Sequence, residues 1–440
     1  MRASLEPRSH GTNKTTFDPQ QERAIEYLRR EARRRCTADG RPLGFQAFMV
    51  GMGHGVQELV PRTPEVFSNL LALAALGGLD HPSVSSLCHY LLGSFRDLHA
   101  DGLYRFFRSA RLSGDTDCTG LAVRAQIELG ELDPTDAAGA RELKQFTDRL
   151  LGCASIASTA SADNRVLGVE NGELHRRVIK LTPHDHAGAD LVGDRGLMHD
   201  PVACCHALYP LLAELRAGAR RSDVLVRLRE QWMDEPGPRL GLTHADSVVA
   251  ASILHVLRHL SSGAWRQGTS LYAPPELFLY ALSELLREFP ELDHALVGAR
   301  SVLQHALLER RHEARRAGAF QVALRANVAL NLGLDPEPER RGLRRAQRAD
   351  GGYSGYKALY TFNTAQASVV YFGSSPVTTA FAIRALSEPR APLQRGRTGW
   401  FDPVARRLGE FLRDCHGSWP APSHGLAPLA KRKPARDALR

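Results

Sequence analysis

Residues 113–120 read Ser-Gly-Asp115-Thr-Asp117-Cys118-Thr-Gly, directly before the apolar run 121–129. Two carboxylates two positions apart, a thiol and a hydroxyl thus meet where a helix begins. One reading is structural, because Asp, Thr and Ser are what a helix N-terminus needs to satisfy its free N–H groups. The other is chemical. Burial in an apolar hollow raises a carboxyl's pKa, and a neighbour's hydrogen bond fixes which oxygen carries the proton. Such a group is a Brønsted acid for a substrate that resists protonation.

A second cluster, Met198-His199-Asp200-Pro-Val-Ala-Cys204-Cys205-His206, stands in front of another apolar run. Cys204 or Cys205 could donate a hydrogen bond to Asp117, and His199 could orient the acid or return its proton. Adjacent cysteines also serve as small core residues of a buried helix. The same donors permit a metal reading, with Asp117, Cys118, Cys204, Cys205 and His206 around zinc and His184 and His186 near by. Successive helical side chains point about 100° apart, so vicinal cysteines bind one ion with difficulty. The loop holding His184, Asp185, His186 and Asp190 reads as a polar surface insertion. No metal ligand set is assigned.

Apolar residues recur at helical spacing through most of the chain, and strand signals are nearly absent. Six segments are apolar around most of their circumference, beginning near Thr63, Asp117, Asp200, Pro274, Ala319 and Pro376. A helix of that kind is buried on most sides. Between them lie charged, amphipathic segments near 20–35, 84–98, 137–151, 247–260, 293–315 and 336–347, and a further segment at 403–415 closes the series. The alternation predicts an all-α fold, an (α/α)6 toroid of six inner and six outer helices around a central cavity. Turns bearing Gly and an aromatic precede several inner helices, among them Asp101-Gly-Leu-Tyr104 and Asp350-Gly-Gly-Tyr353. Residues 19–417 form the barrel, with tails at 1–18 and 418–440; the second is basic.

Asp115-Thr-Asp117-Cys118-Thr119 resembles the Asp-x-Asp-Asp-Thr-Ala motif of class II terpene cyclases, the squalene–hopene cyclase group. Asp117-Cys118-Thr119-Gly120 is similar to the Asp-Cys-Thr-Ala of oxidosqualene cyclases, with Gly120 in place of Ala. Gln347-Arg-Ala-Asp350-Gly351-Gly352-Tyr353 resembles the QW repeat of that superfamily, with Tyr where Trp is usual. The resemblance implies a cyclase in which Asp117 protonates an isoprenoid alkene or epoxide; a cytoplasmic location is expected separately, from the cysteine pattern. Asp115 falls on the supporting carboxylate and Cys118 on its hydrogen-bonding neighbour. It implies cation–π stabilisation by aromatic residues, for which Phe106, Phe107, Tyr209, Tyr272, Phe278, Tyr371 and Phe372 are the candidates. No redox cofactor is implied, and Mg²⁺ matters only for a diphosphate substrate. At 440 residues the chain holds one barrel rather than two, so a shorter isoprenoid or a terpenylated acceptor fits better than a triterpene. Two other classes are compatible with the residues: a non-catalytic toroid binding a lipid or protein partner, and a zinc-dependent prenyltransferase-like enzyme.

Composition narrows the field. Hydrophobic residues make up 43% and charged ones 24%, which excludes a disordered chain. The net charge of +9 sits largely on arginine-rich amphipathic helices, and no nucleic-acid-binding signature accompanies it, so no nucleic-acid partner is expected. The basic tail allows weak contact with an anionic membrane. No P-loop, dinucleotide fingerprint, GxSxG or HExxH motif occurs, and Gly51-Met-Gly-His-Gly55 reads as a turn of the first unit. The seven cysteines show no CxxC spacing and read as reduced thiols.

Overall fold

The computed structural model describes residues 17–34, 43–50, 58–59, 65–96, 98–100, 102–107, 114–154, 178–179, 181, 199–217, 244–290, 292, 298–313, 317–363 and 369–388. Both tails beyond these limits, the segment 403–415, the loop at 184–190 and Gly51–Gly55 lie outside them. Twelve α-helices fall among the described residues. The odd-numbered ones are α1 (Pro19–Arg33), α3 (Pro82–Gly93), α5 (Ala137–Gly152), α7 (His244–Ser261), α9 (Ala299–Glu313) and α11 (Glu337–Ala346). The even-numbered ones are α2 (Phe67–Leu76), α4 (Thr116–Glu128), α6 (Pro201–Arg216), α8 (Pro275–Glu288), α10 (Ala319–Leu332) and α12 (Ser375–Leu386).

The division into two layers follows from the residues. Every residue of α2 is buried, whereas in α11 only Glu339 and Leu343 are. An all-apolar helix needs neighbours on every side, and a charged one needs a wet face. The even helices accordingly form a closed ring: α2 packs on α4, α4 on α6, and so on to α12, which returns to α2. The odd helices clothe it, with α1 on α12, α3 on α2, α5 and α7 on α6, α9 on α8 and α10, and α11 on α10. The fold is the expected (α/α)6 toroid.

Two features depart from the sequence expectation. The first is β structure. Strands β1 (Phe48–Val50) and β2 (Glu58–Leu59) precede α2, and β3 (His99–Ala100) and β4 (Leu103–Tyr104) form a hairpin before α4. Strands β5 (Tyr356–Asn363) and β6 (Val369–Ser374) precede α12. An antiparallel sheet in the order β2-β1-β6-β5 therefore stands at the end of the ring where the inner helices begin. The second is the ring's interior, where a hollow is expected and side chains meet instead. The Tyr280 hydroxyl of α8 donates across the axis to the Ala74 carbonyl of α2, the opposite helix, at 3.4 Å. One turn further along α8, Glu284 accepts from Arg124 of α4 and from Arg384 of α12 at 2.7 Å. Arg287 at 3.0 Å and Asn331 of α10 at 2.6 Å complete the knot. Burial pushes the Glu284 carboxyl up, but Arg287, Arg384 and Arg124 outweigh it and hold it well below the usual carboxylate range.

The QW-like turn closes the ring. Gln347 Nε2 donates to the carbonyls of Gln20 at 2.8 Å and Gly351 at 2.9 Å, so it ties α11 to α1. Gly351 has φ +88°, and a Cβ there would come within 2.4 Å of the Arg23 carbonyl oxygen. Only glycine suits that position. Gln21 of α1 donates to Ser387 at the end of α12 at 3.0 Å.

Candidate active site

The first turns of the inner helices provide an internal comparison. In four of them a side-chain oxygen accepts a hydrogen bond from the backbone N–H three residues on: Glu65 from Ser68, Asp115 from Cys118, Asp200 from Ala203 and Ser374 from Val377. Asp115 is therefore the cap of α4, at 2.6 Å, and the Cys118 thiol also bonds to it. Two positions beyond each cap stand Phe67, Asp117, Val202 and Pro376. The fold fills that position with an apolar side chain three times out of four, so the carboxylate of Asp117 does no capping.

Asp117 is 4% exposed. Its Oδ1 lies 2.5 Å from Nδ1 of His206 on α6, and its Oδ2 accepts from the hydroxyl of Tyr272 in the turn before α8. Gly120 explains how α4 and α6 come close enough. A Cβ there would stand 2.3 Å from the His206 carbonyl oxygen, so this contact requires glycine at position 120. Burial, reinforced by the charges of Asp117 and Asp200, pushes the Tyr272 hydroxyl well above its usual range, which keeps it a donor.

One further carboxylate holds both partners of Asp117. Asp200 Oδ1 accepts from Val202 and Ala203 at the start of α6, the helix that bears His206. Its Oδ2 accepts from Ser270 Oγ at 3.2 Å and Leu271 N at 3.1 Å, immediately before Tyr272. Burial raises the Asp200 carboxyl despite these bonds.

Beside this acid lies an aromatic wall. Phe67 packs on Phe106 (5.3 Å between ring centres), on Tyr360 of β5 (5.2 Å) and, across the ring mouth, on Tyr272 (5.9 Å). Phe106 touches Phe107 at 4.7 Å and Tyr360 at 5.4 Å, and Phe372 of β6 stacks on its register partner Tyr360 at 4.8 Å. The wall spans the ring mouth and the sheet above it.

Of the aromatic candidates, Phe106, Phe107, Tyr272 and Phe372 are brought together here. The others lie elsewhere. Tyr209 packs on Phe289 under the guanidinium of Arg124, Phe278 faces His259 of α7 between the two layers, and Tyr371 sits on the opposite face of the sheet from Phe372. Cys204 directs its thiol to the Ile179 carbonyl at 3.6 Å. His199 Nδ1 also lies against the Ile179 carbonyl, at 3.4 Å, and the histidine bonded to Asp117 is His206. Among the described residues, which do not include His184 and His186, no group of three His, Cys, Asp or Glu is arranged to hold a metal ion. Phe67 and Glu65 are not distinguishable in the sequence from ordinary core and cap residues, and Asp200 stands in the second cluster without a role of its own. Among the described residues no helix is long and apolar enough to cross a membrane.

No family model matches the sequence, and no curated protein does. Among solved structures, the type II terpene cyclase MstE from Scytonema is similar over 83% of this chain and 97% of its own, at 13% identity and a TM-score of 0.48. It has been solved with geranylgeranyl dihydroxybenzoate as its substrate. ent-Copalyl diphosphate synthase from Streptomyces platensis matches 81% of this chain and 52% of its own, at 13% identity and 0.44. An unsaturated glucuronyl hydrolase specific for heparin matches 83% and 95%, at 10% identity and 0.41.

Proposed function

We propose that the protein is an acid-initiated isoprenoid cyclase of the class II type, with Asp117 as the proton donor. The observation that carries this is a buried carboxyl where sister repeats place apolar side chains, gripped on both oxygens and bordered by aromatic rings. A carboxylate of no structural use, kept from water, is costly unless it has a task.

In this mechanism Asp117 gives its proton to the terminal alkene or epoxide of an isoprenoid chain. The bonds from His206 and Tyr272 stabilise the carboxylate left behind. Successive π bonds attack the cation while the faces of Phe67, Phe106 and Tyr360 attract it. Loss of a proton ends the sequence, so the net reaction is an isomerisation, and the chain's own residues supply each step. Mg²⁺ would serve only a substrate with a diphosphate. With the ring axis filled below the mouth, the reacting chain belongs between the mouth and the sheet, which favours a short isoprenoid or a prenylated acceptor.

The test is turnover of linear C15 and C20 isoprenoids and prenyl arenes in D2O. The expected product carries one deuteron from solvent, and Asp117→Asn lowers the rate by a factor on the order of 1,000 with the fold intact. Cyclisation at the original rate by that variant would remove the proposal; a merely binding toroid would tolerate the change.

A further inference from the structure

We propose that Glu65 is the base that ends the reaction, removing a proton from the final carbocation beside the aromatic wall. This rests on the acid-initiated reading above. An isomerisation that begins by adding a proton must return one, and in an apolar site the acceptor has to be a buried basic group. Four such groups border the wall or the acid. His206 bonds Asp117 itself, Asp115 bonds Cys118 beside it, and Asp200 holds the turn before Tyr272, so all three belong to the acid's own cluster. Glu65 is the fourth.

Glu65 is fully buried, two residues before Phe67, on the ring neighbour of α4. Its backbone pairs with Phe107, so its chain segment runs beside Phe106. Phe67 meets Tyr272, which reaches Asp117. It also meets Tyr360, whose hydroxyl is pushed well up by burial and then by the charge of Glu65. The carboxylate accepts from Ala47 N at 3.1 Å and Ser68 N at 2.8 Å, one bond on each oxygen. Burial outweighs these bonds and those from the Ser68 hydroxyl and Phe67 amide, and lifts the Glu65 carboxyl to about 7. It therefore matches the pH at which a group can both take a proton and release it.

In the step itself, a C–H bond next to the cationic carbon breaks and its electron pair becomes the new double bond. The proton goes to a Glu65 oxygen. Asp117 has lost one proton and Glu65 has gained one, and exchange with solvent between turnovers restores both.

The experiment uses binding, so it does not wait on the true substrate. Two probes are compared on the full chain: N,N-dimethylfarnesylamine, an ammonium at neutral pH, and neutral farnesol. The wild type is expected to favour the ammonium by about tenfold. That preference should fall several-fold in Glu65→Gln, to the part the rings supply, and keep its full size in Asp117→Asn. Glu65→Ser is the second variant, because Ser374 already performs the same capping bond at α12 and the helix start is kept. A preference undiminished in both Glu65 variants, or one that falls only in Asp117→Asn, overturns the assignment and leaves the acid mechanism standing. If the wild type binds neither probe, it is the isoprenoid reading itself that fails.

Discussion

Asp117 and Tyr272 can be separated from the packing around them by small changes. Tyr272→Phe removes the bond to Oδ2 while the ring keeps its contact with Phe67. Turnover should fall by about 10- to 100-fold with little change in melting temperature, measured side by side. Glu65 makes a different prediction, in stability. Its carboxyl is raised from the ordinary 4.5 to about 7, so across that window the folded chain holds a proton the unfolded chain has released. For this group stability is greatest below the ordinary value and falls as pH rises towards 7, by about 3 kcal/mol. Urea titrations at about pH 5 and about pH 7.5 should show the slope, and Glu65→Gln should flatten it. Asp117 stands out in the sequence through the carboxylate two positions before it, the apolar run after it and the motif it resembles. The sequence offers His206 only as a zinc donor and His199 as the group that orients Asp117, since the meeting of His206 with Asp117 depends on how α4 and α6 are rotated against each other.

At the scale of elements, Gly120 sets the separation of α4 and α6. Gly120→Ala would drive a methyl against the backbone of His206, where no flexible side chain can yield. It should cost about 1–3 kcal/mol as overpacking and weaken activity by moving His206 from Asp117, checked by melting temperature and rate together. The six inner starts were read from the sequence to within about four residues, because a helix apolar all round leaves a plain signature. The sheet was missed. Its two longer strands, β5 and β6, are rich in the aromatic and β-branched residues that favour strands. They lie so close to the apolar start of α12 that they read as part of a turn.

For the whole molecule, the knot around Glu284 joins α4, α8, α10 and α12 through the axis. Glu284→Gln leaves three guanidiniums short of a buried anion and should destabilise the fold by about 3–5 kcal/mol, visible in chemical denaturation. The expectation of a hollow failed here for a physical reason: periodicity says which face of a helix is inward, and nothing about whether long side chains from opposite helices meet in the middle.

The fastening of α1 to α11 and α12 has a consequence for how the chain is made. Gln20 and Gln21 find their partners more than 300 residues later, in Arg344, Gln347 and Ser387. Until the ribosome has delivered that late portion, the greasy flank of α2 that α12 will cover faces water, and the circle is a crescent. Assembly is therefore completed only after nearly all of the chain has emerged, and a nascent chain stalled before α12 should need a chaperone to stay in solution.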